Sequence, residues 1–85
     1  MNQTAQKEIT NRLRRARGQI DGVITMIETG RSCRDVVTQL AAAARALDKA
    51  GYKLIATSMQ ECLRTESTDP GLTPEELERL FITLA

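Results

Sequence analysis

Residues 32–65 read SCRDVVTQLAAAARALDKAGYKLIATSMQECLRT, and the first proline of the chain comes only at Pro70. The segment opens on Ser32, whose hydroxyl can cap a helix. Asp35 follows three positions on, in the manner of a capping box with a shorter acid. Val37, Leu40, Ala44, Leu47, Gly51, Leu54 and Ser58 then recur at steps of three and four, the spacing of one helix face. A helix over 32–65 would be ~50 Å long at ~1.5 Å per residue. No other segment of an 85-residue chain is long enough to cover it. The reading therefore predicts that this seam packs against its counterpart in a second subunit.

Upstream, the spacing predicts a helix over about 4–29, with Thr4 as N-cap. Ile9, Leu13, Ala16, Ile20, Val23, Ile24 and Ile27 form its apolar stripe, and Gly30 is its stop. Gly18 and Gly22 inside it cost roughly 1 kcal/mol each against Ala. Close helix packing would excuse them, and a break near Gly22 is the alternative. Downstream, residues 66–72 (Glu66, Ser67, Thr68, Asp69, Pro70, Gly71, Leu72) are loop material. Thr73 then caps a third helix over 73–84, with Pro74 at its first position and Glu76 completing a capping box. Leu77, Leu80, Phe81 and Leu84 form its apolar face. The expected architecture is all-α: one domain over 1–85, three helices, the central one long.

Composition points the same way. One Phe, one Tyr and no Trp leave the core without the large aromatic side chains that help a small monomer. A domain this short is marginal by itself, and oligomerisation is one usual remedy. No basic stretch leads into an apolar run at the start, and no stretch approaches ~18 uninterrupted apolar residues. A cytoplasmic protein without a membrane partner is expected. The formal net charge is +1 but is unevenly spread. Residues 1–53 hold ten Lys or Arg against five Asp or Glu, and residues 54–85 hold two against six. A basic front with an acidic tail suggests an anionic partner for the front.

Cys33 falls in the first turn of the central helix between Arg31 and Arg34, where the helix dipole and the guanidinium groups both favour a thiolate. Cys62 lies in the last turns of the same helix beside Glu61. The arrangement suggests an attacking and a resolving thiol. Twenty-nine residues of straight helix separate them by ~43 Å, whereas a disulfide needs Cα atoms within ~7 Å. In an antiparallel pair with its two-fold axis between Leu47 and Asp48, Cys33 of one subunit would face Cys62 of the other. Ala43, Ala44, Ala50 and Gly51 would permit close approach there. The alternative is that both cysteines are ordinary buried small residues, which is common for free Cys. The chain has no histidine, and two thiolates cannot complete a tetrahedral zinc site, though they suit Cu(I). Without histidine or a C-x-x-C pair, a thiol enzyme is not expected.

Arg12, Arg14, Arg15 and Arg17 crowd six positions of the first helix, and Arg45, Lys49 and Lys53 recur every four on the second. Such runs are often solvated surface. The functional reading is phosphate contact with duplex DNA, its affinity drawn from counterion release, with Gln19 adding a hydrogen bond. There are few aromatics for single-strand stacking, and no helix-turn-helix is evident.

The run Arg12-Leu13-Arg14-Arg15-Ala16-Arg17-Gly18-Gln19, then Met26-Ile27-Glu28, then Cys33-Arg34-Asp35-Val36-Val37-Thr38-Gln39-Leu40, resembles the CsoR/RcnR family of bacterial repressors. The resemblance implies an antiparallel dimer and a disc-like tetramer of two dimers that binds operator DNA until its sensor site is filled. Copper-sensing members use Cys, His and Cys ligands. Cys33 and Cys62 match the cysteines, while Ser58 stands at the histidine position. Members of the CstR branch keep both cysteines, lack the histidine and respond to persulfides, and the chain is similar to them. The resemblance thus implies a persulfide- or polysulfide-sensing repressor without a cofactor, the alternative being Cu(I) held by the same two thiolates. Asn2 occupies the place of the N-terminal proline of formaldehyde sensors, and nickel or cobalt sensing would need histidines.

Overall fold

The computed structural model describes residues 1–63 and 73–85, with the backbone alone for residues 62 and 63. Its elements are α1 (Gln3–Glu28), α2 (Cys33–Leu63) and α3 (Pro74–Leu84), with no strand among the described residues. The protein is all-helical, as its spacing predicts. The loop expected over 66–72, and the last two positions of the helix expected over 32–65, lie outside the described residues.

Local chemistry sets each end. At the start of α1 the cap is Asn2 rather than Thr4, its Oδ1 accepting from the Ala5 amide at 2.8 Å. Both residue types cap well, and the upstream one adds two residues, about half a turn, to the helix. At the other end Gly30 has φ +74°, a conformation that costs Gly little. The Arg31 amide donates to the Met26 carbonyl and the Gly30 amide to the Ile27 carbonyl, the two bonds of a Schellman stop. Two residues later Ser32 Oγ accepts from the Asp35 amide, and α2 begins. Thr73 Oγ1 accepts from the Glu76 amide to start α3, with Pro74 in its first turn.

The Gly30 turn folds α1 back along α2, giving an elongated molecule of 53 × 26 × 14 Å. The pairing is mirrored about that turn: Gln39 lies over Gly22, Lys53 reaches Glu8, and the Met1 ammonium meets Glu61 at 2.6 Å. α1 is unbroken at Gly22, where a Cβ would meet Gln39 Nε2 at 3.6 Å, ordinary contact; at Gly18 nothing lies close. Ile9, Ala16 and Val23 of α1 are buried against a face of α2 that holds Ala43 and Ala50. The expected α1 stripe therefore splits. Ile9, Ala16 and Val23 turn inward, whereas Leu13, Ile20 and Ile27, equally seven apart, stay exposed with Ile24.

α3 returns onto α2. Leu77 is buried, the Phe81 ring lies 5.8 Å from Tyr52, and Leu84 covers Gly51. This corrects the expected small-residue gap at the middle of α2. Ala43 and Ala50 are covered within the subunit and Gly51 by Leu84, leaving Ala44 exposed. The seam residues Val37, Leu40, Leu47 and Leu54 remain open to solvent.

Candidate nucleic-acid interface and sensor thiols

The mirrored pairing of α1 and α2 decides which basic residues meet. Arg12 and Lys49 are equidistant from the Gly30–Arg31 turn, and so are Gln19 and Ala42. A half-open groove of about 260 Å³ runs between the helices there, lined by Arg12, Arg15, Gln19, Arg45 and Lys49 over Ala42 and Ala46. The two alanines leave the space, and the long side chains on either side wall it.

The electrostatics of this groove are unbalanced. Among the described residues no ion pair involves Arg15, Arg45 or Lys49, and Arg12 has only a long contact to Glu8, at 3.7 Å. Arg12 Nε and Gln19 Oε1 are buried without a hydrogen-bond partner. Buried polar atoms are nearly always satisfied, so two orphans in one groove are a feature to explain.

The other expected DNA contacts sit elsewhere. Arg14 and Arg17 share a separate half-open depression with Thr10 and Leu13, and Arg14 also reaches Asn11 Oδ1 at 3.5 Å. Lys53 lies 3.6 Å from Glu8 and ties α2 to α1. Five of the eight positions thus converge, two form a second patch, and one acts as a tie. Sequence reasoning missed Glu8, which touches both Arg12 and Lys53. The available signal was its distance from the Gly30–Arg31 turn, which equals that of Lys53.

Cys33 is the first residue of α2 and is exposed. One of its flanking guanidinium groups is engaged: Arg31 pairs with Asp35 at 3.0 Å. Because α2 is one uninterrupted helix over Cys33–Leu63, the backbones at 33 and 62 stand ~43 Å apart, and no intramolecular bridge can form. The Cys62 side chain lies outside the described residues. Ser58, one turn before it, donates its hydroxyl to the Leu54 carbonyl at 2.9 Å. Among the described residues no three His, Cys, Asp or Glu side chains gather as a metal site.

The helical hairpin with its basic groove has relatives among known proteins. The model of the metal-sensitive transcriptional repressor family matches residues 5–84, and the chain belongs to that family. Its members are repressors, not enzymes. The chain is 39% identical over 59 residues to the uncharacterized protein YrkD of Bacillus subtilis, covering 69% of this chain and 92% of that protein. It is 36% identical over 59 residues to the copper-sensing transcriptional repressor CsoR of Mycobacterium ulcerans, covering 69% of this chain and 50% of that one. It is 35% identical over 69 residues to the copper-sensing transcriptional repressor RicR of Mycobacterium tuberculosis, covering 80% and 72%. The chain spans about half the length of the CsoR relatives it matches. No solved structure matches it. Among the described residues no helix is long and apolar enough to cross a membrane.

Proposed function

We propose that this protein is a cytoplasmic, self-associating repressor that binds duplex operator DNA through the groove between α1 and α2. It releases the DNA when Cys33 and Cys62 of a second subunit capture a soft ligand. The convergence of Arg12, Arg15, Gln19, Arg45 and Lys49 in one groove carries the DNA-binding part. Each phosphate neutralised there releases counterions, so affinity should fall steeply with salt. The separation of positions 33 and 62 on one helix supports the two-subunit sensor: thiols this remote can cooperate only across an interface.

Cu(I) is the ligand the relatives support, since CsoR and RicR are both named copper-sensing. The donor set fits Cu(I) in softness, as thiolates suit this ion, but it lacks a histidine. Bound between Cys33 and Cys62 of two subunits, the ion would supply a bridge that favours one quaternary arrangement over another.

A second reading, reactive sulfur, is favoured by Ser58, whose hydroxyl is turned back onto its own helix rather than offered as a ligand. In that reading the Cys33 thiolate attacks the outer sulfur of a persulfide and expels a thiolate, leaving Cys33 as a persulfide. The Cys62 thiolate of the second subunit then attacks the inner sulfur and expels hydrosulfide. Two electrons pass to the departing sulfur and one disulfide forms.

One parallel experiment tests the proposal. Operator binding by the reduced protein is followed by fluorescence anisotropy before and after Cu(I) and after polysulfide, with mass spectrometry of each product. Copper-driven release with both thiols unoxidised selects Cu(I). Release by polysulfide with a Cys33–Cys62 inter-subunit cross-link selects reactive sulfur. Failure of the reduced protein to bind any duplex in a salt-sensitive way sinks the repressor reading for this chain.

A further inference from the structure

The groove between α1 and α2 is half-open, yet it draws donors from both helices onto one space. Three guanidinium groups and an ammonium from two helices surround a space of about 260 Å³. At ~30 Å³ per water, that holds several waters, or one tetrahedral oxyanion with part of its shell. Like charges brought together without counter-charge repel one another. Among the described residues, the carboxylate that contacts a cation of the groove is Glu8, shared between Arg12 and Lys53. Arg12 Nε points a donor into a buried setting with no acceptor. Nε and Nη together make the fork that matches an oxyanion edge. Gln19 Oε1 is the second buried orphan, and rotating its carboxamide would present two N–H donors instead.

We propose that this groove is a discrete seat for one tetrahedral oxyanion. A backbone phosphate fills it when DNA is bound, and free phosphate or sulfate fills it otherwise. Only the first of these sources rests on the repressor reading. The seat makes anion affinity depend on the spacing of α1 and α2, because its donors come from both helices. Ala42 and Ala46 are as necessary to it as the cations, since any longer side chain there would occupy the cavity.

The test uses the reduced 85-residue chain without DNA. Sodium phosphate and sodium sulfate are titrated against sodium chloride at matched ionic strength, with the arginine Nε–H resonances followed by NMR. The Arg12 Nε–H signal should move and saturate with phosphate and sulfate and stay still with chloride. Ala46→Leu, which fills the groove without touching a charge, and Arg45→Gln, which removes one donor, should each weaken phosphate binding about tenfold, the loss of one charge-assisted contact. Arg79→Gln, exposed on α3 and away from the groove, should not. Circular dichroism confirms that each variant is folded, and Arg15→Gln replaces any that is not. Equal movement with chloride, or equal movement of Arg14 and Arg17, overturns the seat even if the protein binds duplex DNA. Phosphate that binds and displaces a duplex supports the backbone source, and phosphate that binds without displacing it supports the free anion. Saturable phosphate binding in a chain that ignores DNA leaves the seat standing while the repressor reading falls.

Discussion

The face of α2 that meets α1 is made largely of alanine, and the face left open is made of leucine and valine. Ala43 and Ala50 are almost wholly buried, whereas Val37, Leu40, Leu47 and Leu54 are 40–63% exposed. In a self-sufficient domain the larger side chains would be inside, since covering a Leu or Val stabilises by about 1.5–3 kcal/mol. Here the large side chains buried among the described residues are few, Ile9, Val23, Ile55 and Leu77. The inversion divides the labour. Small residues let α1 approach closely and leave room for the cationic groove, while the large residues are held for a surface the single chain does not provide.

Breaking the open face should have the largest effect. Leu47→Glu places a charge where a second subunit is expected, and an unpaired charge buried at an interface costs about 3–5 kcal/mol. Sedimentation should show dissociation to monomer, and the dependence of the melting temperature on protein concentration should disappear. If Leu47 is simply solvated, stability should change by no more than about 0.5 kcal/mol with the same sedimentation, and the leucine face loses its meaning.

The boundary between the two faces is tested at Gly51. A Cβ there would sit 2.6 Å from Leu84 Cδ2, the end of a flexible side chain, so the Leu84 side chain must shift. Gly51→Ala gains about 1 kcal/mol of helix propensity, and displacing Leu84 offsets part of it. The expected net in urea unfolding is a gain below about 0.5 kcal/mol. In a Leu84→Ala background the contact is gone, and Gly51→Ala should stabilise by the full amount, about 1 kcal/mol. A double-mutant cycle without coupling between the two positions would mean that α3 does not rest on Gly51 in solution.

These contrasts also show what was readable from the sequence. Ser32, Thr73 and Gly30 announced three boundaries because their chemistry is local: an oxygen for an amide, and a residue free to take positive φ. Asn2 was overlooked for Thr4 because two good caps lie within one turn. Which α2 face turns inward was not legible, since the alanines and the leucines recur with the same three-and-four spacing. Tertiary packing alone separates them. The basic residues were visible one by one, but their sorting into groove, second patch and tie depends on the register of two helices. That register follows once the Gly30–Arg31 turn is taken as the mirror point, as the Glu8–Lys53 and Gly22–Gln39 pairs show.

The smallest expected effect lies on the alanine side, where Glu8→Gln removes the carboxylate shared by Arg12 and Lys53. Both contacts are long and partly exposed, at 3.7 and 3.6 Å, so unfolding free energy should change by no more than about 0.5 kcal/mol. Binding should respond more than stability, because two cations at the edge of the groove lose their internal counter-charge. Duplex affinity should rise about two- to threefold, and the slope of log affinity against log salt should steepen by up to about 1. Anisotropy titrations at several salt concentrations measure both. The opposite result, weaker binding at unchanged stability, would make Glu8 a strut that holds Arg12 in line with its neighbours. The groove would then depend on the α1–α2 tie for its geometry as well as for its charge.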